Sequence, residues 1–406
     1  MKYFLLILSF ISLSAHASNC KVERTAVFTK TLIDHPNGNM GASAQVSILL
    51  QDGSLLASIG NIDNDADKGP GYLVIAPNGT SSKMLTFDKT LMSDYMPLQL
   101  KSGELVIGTL TGEIYLMDTS GKVLKKILVA KDDIINGVVQ LKDESLLASG
   151  RNTGTIYHIS APNTGKESSV TSFYNKKEIM ENFVIPQELS DGHIVLLGAI
   201  TDEIGVDILN PDGSLFVNIP EFDFDATMDQ PATEFPGVVA ISGRHLVNAE
   251  TKMQTSVAYV DLTTKKITYS DFGYGAYGVG MLFLKKINLT DYLIGNFLEN
   301  YENLMFFHGD KKVWEQKITN PSSDLAMMPK TLSDSTIVQT AYGQVQFYST
   351  LGELKSTFDF TQDLDPYTHT VQSPENPLVV STDDTVIVPQ WYFQGLRVSY
   401  LKMHCN

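Results

Sequence analysis

Short apolar runs alternate along this chain with small clusters of Asp, Asn, Ser, Lys and Gly. The ten residues LLQDGSLLAS, Leu49 to Ser58, set an apolar run, a polar turn with glycine and a second apolar run side by side, and the phrase returns as LQLKSGELVIGT from Leu98 and VQLKDESLLASG from Val139. Runs of this length bounded by turn-forming residues predict two strands joined by a tight hairpin. Further copies are LSDGHIVLLG from Leu189, ISGRHLVNA from Ile241, INLTDYLIGN from Ile287, LSDSTIVQT from Leu332 and VSTDDTVIVP from Val380. Aligned on the second run, their leading apolar residues are Leu55, Leu105, Leu146, Ile194, Leu246, Leu293, Ile337 and Val386. No 3.6-residue amphipathic spacing is sustained between copies, so the connecting stretches do not read as helices. A second turn follows in each of the first seven units, at Ala76, Asp118, Ala161, Asn210, Leu262, His308 and Ser349, which makes four strands per unit.

The copies are spaced 41 to 52 residues apart, a period that fits radially arranged sheets. A four-stranded sheet buries its two faces only against neighbours. The expectation is an all-β propeller of eight four-stranded blades, or seven if INLTDYLIGN is an insertion. The best-formed unit, GELVIGTLTGEIYLMDTSGKVLKKI from Gly103, resembles the PQQ-like β-propeller repeat, with Gly108, Gly112, Tyr115, Asp118, Gly121 and Lys122 at the repeat's familiar places. That family includes quinoprotein dehydrogenases and periplasmic outer-membrane-assembly propellers. The resemblance implies blade architecture and brings no catalytic residue with it. Most units depart from it by lacking the closing tryptophan: Leu124 stands in that place in the best copy, and only KKVWEQK around Trp314 keeps it. With Trp314 and Trp391 the only tryptophans and no adjacent cysteine pair, a bound quinone has no support, and no organic cofactor is expected.

The last unit supplies strands near Leu378, Thr385 and Leu396 and lacks a fourth. KVERTAVFTKTL, Lys21 to Leu32, is the expected outer strand, antiparallel to the carboxy-terminal one. This brings Cys20 beside Cys405, the only two cysteines, and predicts a disulfide joining the chain ends. Upstream, MKYFLLILSFISLSAHAS has a cation at Lys2, an apolar core from Phe4 to Leu13 and small residues at Ala15 and Ala17, the pattern of a secretory signal cleaved after Ala17. The expected organisation is a signal peptide over residues 1–17 and one propeller domain over 18–406, periplasmic or secreted. The apolar core is about ten residues, short of the roughly 20 that span a bilayer, and no transmembrane segment is expected. A lipid anchor at Cys20 is the competing reading, opposed by Asn19 where a lipobox places a small residue.

Hydrophobic residues make up 43% of the chain and charged residues 19%, enough to bury a core and too apolar for disorder. The net charge of −16 argues against nucleic acid, whose phosphates demand clustered cations, and equally against an anionic membrane surface. Neutral, cationic or metal-bridged partners fit better.

In such a blade the first-to-second and third-to-fourth turns share one face and are short here. The remaining connections share the other face, are longer and more varied, and mark the working surface. Among them NIDNDADKGPG, Asn61 to Gly71, alternates Asp63, Asp65 and Asp67 as a calcium loop does. Its glycine, Gly69, comes one place late and no glutamate fills the twelfth position, so calcium stands beside a solvated acidic loop as the two readings. FGYGAYGVG, Phe272 to Gly280, contains G-x-G-x-x-G without the strand-to-helix context of dinucleotide binding. It presents Tyr274 and Tyr277, and QWYFQG from Gln390 adds Trp391 and Tyr392. Together these form an aromatic rim for sugar rings, peptide side chains or a cation, or else pack between blades. The loops EFDFDATMDQPATEF from Glu221, with Asp223, Asp225 and Asp229, and TQDLDPYTHT from Thr361, with Asp363 and Asp365, offer carboxylates to a cationic partner or else keep an exported protein soluble. The histidines have no metal-binding spacing, and neither G-x-S-x-G nor a phosphate-binding loop occurs. The expected function is an exported non-enzymatic scaffold that binds protein or glycan through the long-loop face. The alternative is a polysaccharide lyase or hydrolase with carboxylates and tyrosines near the central channel. The sequence leaves ligand and oligomeric state open.

Overall fold

The computed structural model describes residues 20–31, 47–59, 71–86, 97–163, 165, 167–175, 184–198, 205–220, 222–223, 232–246, 253–274, 281–298, 301–318, 329–341, 343–361, 363, 378–392 and 395–405. Every regular element among them is a β-strand, and the strands form eight separate antiparallel sheets taken in chain order. Blade 1 consists of Ser47–Leu49, Leu55–Ile59, Gly71–Ile75 and Ser82–Thr86; blade 2 of Leu98–Gln99, Leu105–Gly108, Glu113–Met117 and Val123–Leu128. Blades 3 to 7 span Ile135 to Asn175, Val184 to Pro220, Phe222 to Tyr274, Met281 to Ile318 and Lys330 to Asp359. INLTDYLIGN is a true blade hairpin, closed by Ile287 N–H donating to Asp291 O at 2.8 Å, so the ring has eight blades.

Blade 8 is assembled from both ends of the chain. Val379–Val380, Val386–Tyr392 and Gly395–Cys405 are its first three strands, and Cys20–Thr31 is its outer one. Cys20 pairs with Cys405 in register and the two form a disulfide with Cα atoms 4.0 Å apart. The sulfur of Cys20 is spent in that bond, which leaves no atom there for a thioether-linked lipid.

The apolar doublets of the repeated phrase explain how the ring holds. Neighbouring residues on a strand point to opposite faces, so each doublet feeds two interfaces. Leu55 packs with Leu396 and Val398 of blade 8, whereas Leu56 packs with Leu105 and Met117 of blade 2. Val106 then meets Leu146 of blade 3, and Leu147 meets Ile194 of blade 4. Val195 joins a cluster running through Ile241, Leu293 and Ile337 of blades 5, 6 and 7, and Val338 meets Val388 and Leu401 of blade 8. The circle of clusters is closed. Each leucine or isoleucine buried this way contributes about 1.5–3 kcal/mol relative to exposure.

Blade 5 departs from the sequence reading. The phrase ISGRHLVNA is not a hairpin: Val238–Leu246 is one continuous strand, and Leu246 ends it rather than leading it. The turn is Pro236–Gly237, with Phe235 facing Val238, a two-residue turn that lacks the Asp and Ser of the other copies. The inner strand of this blade is also interrupted. Phe222 and Asp223 pair with His245 and Arg244, and Ala232 resumes opposite Ile241. More residues lie between Asp223 and Ala232 than a continuous strand would hold.

The tight turns share one mechanism. Asp52, Asp143, Asp191 and Asp334 each accept the backbone N–H two residues on, from Ser54, Ser145, His193 and Thr336, at 2.9–3.1 Å. Asn78 and Asn288 do the same for Thr80 and Thr290. Hydrogen bonds from Ser120, Ser145 and Ser214 hold the carboxyls of Asp118, Asp143 and Asp212 below the usual range, and Ser381 with Lys402 depresses Asp383 furthest. A carboxyl depressed by folding stabilises the fold above its unfolded pKa of about 4 and stops doing so as pH falls through its lower folded value. The urea midpoint is therefore expected to fall between about pH 5 and pH 2. Asp383→Asn, which keeps an acceptor of the kind used at Asn78, is expected to lose less in acid. Parallel pH profiles for the two proteins would contradict this assignment.

The outer strands of blades 1, 2 and 6 also reach the third-to-fourth turn of the next blade. Trp314 Nε1 donates to Thr350 O at 2.9 Å, and a Cβ on Gly352, where φ is +82°, would lie 2.8 Å from the indole. The repeat alignment puts Leu124 in this place in blade 2, and the register moves it by one. Leu116 pairs with Lys125 as Phe306 does with Trp314, each the last regular pair before a bulge. Both blades share that bulge; the offset arises because the turn of blade 2 holds one residue more than that of blade 6, which an alignment without a gap does not see. Lys125 Nζ accordingly donates to the carbonyls of Ala161, Pro162 and Asn163 at 3.1–3.4 Å and to Ser168 Oγ at 2.8 Å.

Candidate functional site

The tight-turn face spends its polar groups on itself. Gln99 accepts the backbone N–H of Gln51, Gln140 that of Lys101, Glu188 that of Lys142, Glu234 that of Ser190 and Asp384 that of Ser333, at 2.7–2.9 Å, each joining one blade's first turn to the next blade. The opposite face collects connections of unequal length. The widest run from Thr31 to Ser47, Ile59 to Gly71, Thr86 to Leu98, Ile318 to Lys330 and Asp359 to Val379. The second-to-third connections of blades 6, 7 and 8 are tight, Leu298 to Tyr301, Ala341 to Gln344 and Tyr392 to Gly395. Variation on this face thus sits chiefly between blades.

Three charged groups anchor the bases of these connections. Between blades 2 and 3, the fully buried Asp133 accepts the backbone N–H of Ile134 at 2.8 Å and of Asn152 at 2.7 Å, and the Thr153 hydroxyl at 2.6 Å. Between blades 3 and 4, the buried Asp207 accepts Tyr174 OH at 2.9 Å and Asn218 Nδ2 at 2.7 Å. Burial first, and then the Asp207 charge, push the Tyr174 hydroxyl far above its ordinary value, so it stays a proton donor at any physiological pH. Between blades 7 and 8, Arg24 holds Asp363 with both terminal nitrogens while lying over the Phe358 and Phe360 rings, and Arg397 stands 3.7 Å from the same carboxylate. These groups fix loop bases by charge-assisted bonds. In each group the carboxylate is occupied as a hydrogen-bond or ion-pair acceptor.

Sequence reasoning named Asp363 only as a loop carboxylate and missed Arg24, Arg397, Asp133 and Asp207, although two of them leave a trace: Asp207 interrupts the apolar run GVDIL and Arg397 interrupts GLRVSYL. A single charge at an inward position of a buried strand is rare unless paired.

Of the residues singled out in the sequence, Tyr274 ends the outer strand of blade 5 opposite Gln254. Asp223 lies in the inner strand of the same blade, opposite Arg244. Trp391 and Tyr392 end the second strand of blade 8, opposite Leu396 and Gly395. All four stand at the loop-face ends of their strands. Asp223 and Tyr274 occupy opposite edges of one blade, three strand spacings of about 4.8 Å apart, and the blade 8 pair stands three blades further round. Asp63, Asp65, Asp67, Asp225 and Tyr277 lie outside the described residues. Among the described residues, no three His, Cys, Asp or Glu side chains are arranged to hold a metal ion, and no helix is long and apolar enough to cross a membrane.

No protein-family model matches the chain, and no curated protein matches it. Solved structures do. BamB from Moraxella catarrhalis is 13% identical, with 94% of this chain and 99% of that one covered and a TM-score of 0.55. The Dos1 propeller is 10% identical, with 93% and 95% covered and a TM-score of 0.61. At such identities the likeness is one of fold, and the chain shares with these proteins the β-propeller.

Proposed function

We propose that the protein is an exported, non-enzymatic recognition scaffold that binds a protein or glycan through its loop face. The observation that carries this reading is the contrast between the faces: one is a uniform ring of turns whose polar groups bond from blade to blade, the other gathers every connection of irregular length and sequence. Loops held on a rigid frame are where recognition concentrates. The pattern at residues 1–17 and the disulfide support export, since such bonds persist outside the reducing cytosol. The commitment of Asp133, Asp207 and Asp363 to structural bonds favours binding over catalysis.

A photo-crosslinking residue placed at position 223, 274 or 392, at the loop-face ends of strands, and at 119 or 351 on the tight turns, tests the reading in intact cells. Adducts with a protein or glycan are expected from the loop positions alone. Equal adducts from the turn positions would contradict it. Depolymerisation of a polysaccharide by the purified protein, lost in Asp223→Asn, would establish the enzyme reading instead.

A further inference from the structure

The seam between blades 7 and 8 reverses the balance of polar groups found at Asp133, where one carboxylate meets three neutral donors. Here two guanidinium groups share the single carboxylate of Asp363, so the group carries a net positive charge while its side chains are only 17–23% exposed. Arg24 spends both terminal nitrogens on Asp363, and its Nε is buried with no bonding partner among the described residues. Arg397 Nη1 stands 3.7 Å from the same carboxylate, beyond hydrogen-bond reach, and is likewise buried and unbonded. The hydroxyl of Ser399, a fully buried residue, is in the same condition. Cross-strand partners, and residues two apart on a strand, share one face of a sheet. Ser399 is two residues from Arg397 and two from Leu401, which pairs with Arg24 and packs toward blade 7. The three groups therefore lie on the face of blade 8 that meets blade 7, with the serine between the two arginines. Phe358 and Phe360 lie against Arg24.

All three groups can donate a hydrogen bond, and what the seam lacks is an acceptor that also carries negative charge. Water bonds to buried donors but offsets none of the charge, and a largely buried cation without a full counter-charge is costly. An oxyanion meets both needs through charge-assisted bonds. We propose that this seam binds a small tetrahedral oxyanion, a phosphate or sulfate group, to which Arg24 Nε, Arg397 Nη1 and Ser399 Oγ donate. Donors on three residues, spread over two strands, suit the divergent oxygens of a tetrahedral anion better than the two coplanar oxygens of a carboxylate, which pairs best with one guanidinium fork. Arg397 stands two residues from Gly395, where blade 8 turns at the loop face, and Asp363 belongs to the connection between Asp359 and Val379 on that face. The site thus lies at the loop-face end of the seam. The same chemistry is offered by a free ion and by an ester on a larger molecule. The assignment does not depend on what the loop face as a whole recognises.

The test is calorimetric titration of the full-length protein with inorganic phosphate and with methyl phosphate, in chloride buffer at constant ionic strength. Saturable binding is expected. Binding of inorganic phosphate without methyl phosphate assigns the site to the free ion, and binding of methyl phosphate assigns it to a group carried on an ester. Arg397→Gln removes the guanidinium whose charge is unmatched, and is expected to keep the wild-type melting temperature in chloride while weakening binding at least tenfold. Ser399→Ala keeps both charges and removes one donor; it is expected to weaken binding severalfold, a loss that non-specific attraction to positive charge does not produce. Absence of saturable binding, equal binding of acetate, or unchanged affinity in either variant would overturn the proposal.

Discussion

Replacing Cys20 and Cys405 by serine is expected to lower the unfolding free energy by roughly 3–5 kcal/mol, below the about 6 kcal/mol of the chain-entropy relation because measured bonds usually return less than it gives. The bond spans a sequence separation of 385, so in the unfolded chain it constrains nearly every residue. In the folded protein it ties together the one blade that lacks covalent continuity. Without it, closure rests on the ladder between Cys20–Thr31 and Gly395–Cys405, on Val22 and Phe28 in the flanking clusters, and on the pairing of Arg24 with Asp363. These contacts keep the ring shut in the native state but do nothing to restrict the unfolded one. Urea titrations of the wild type and the double variant measure the difference. The variant should also lose amide protection first in residues 20–31, because the outer strand of blade 8 is the only one not joined through a turn to its sheet. Equal midpoints and equal protection would show that the ladder alone seals the ring.

Gly112→Ala is expected to cost more than about 3 kcal/mol, combining a left-handed backbone with displaced main chain. Gly112 has φ of +82°, and a Cβ there would stand 1.6 Å from Ala130 O. Its own carbonyl accepts the N–H groups of Val129 at 2.8 Å and Ala130 at 3.0 Å. The turn between the second and third strands of blade 2 and the exit of its fourth strand are therefore clasped too closely for any side chain. Moving them also shifts the connection that carries Asp133. Gly237 and Gly309 provide the control: both have positive φ, but a Cβ on either meets nothing within 4 Å. Alanine at those sites should cost only about 1 kcal/mol, the backbone part alone. Thermal unfolding of the three variants separates the terms, and similar losses in all three would remove the steric argument.

The fold was legible because two signals coincide in most blades. Doublets such as Leu55–Leu56 and Leu146–Leu147 mark strands buried on both faces, and the Asp-Gly-Ser kind of turn marks where they reverse. Closure followed from counting three strands at the carboxy terminus and one spare at the amino terminus. Blade 5 was misphased because Phe235-Pro236-Gly237-Val238 turns without the polar cluster, while the Ser and Arg of ISGRH imitate it inside a strand. Leu124 was set in the tryptophan's place, one residue short of Lys125, because the turn of blade 2 is one residue longer than that of blade 6. The candidate site was legible only as a face. Repetition reveals the frame, whereas loops that differ from blade to blade repeat nothing. The pairing of Arg24 with Asp363 joins residues 339 apart, which no local pattern signals.

The central claim is that the ring is sealed where the amino-terminal strand completes the last blade. Mass spectrometry of a non-reduced digest of the native protein tests it most directly. One peptide pair linked through Cys20 and Cys405 is the predicted product; two freely alkylated thiols, recovered from folded protein, would contradict it.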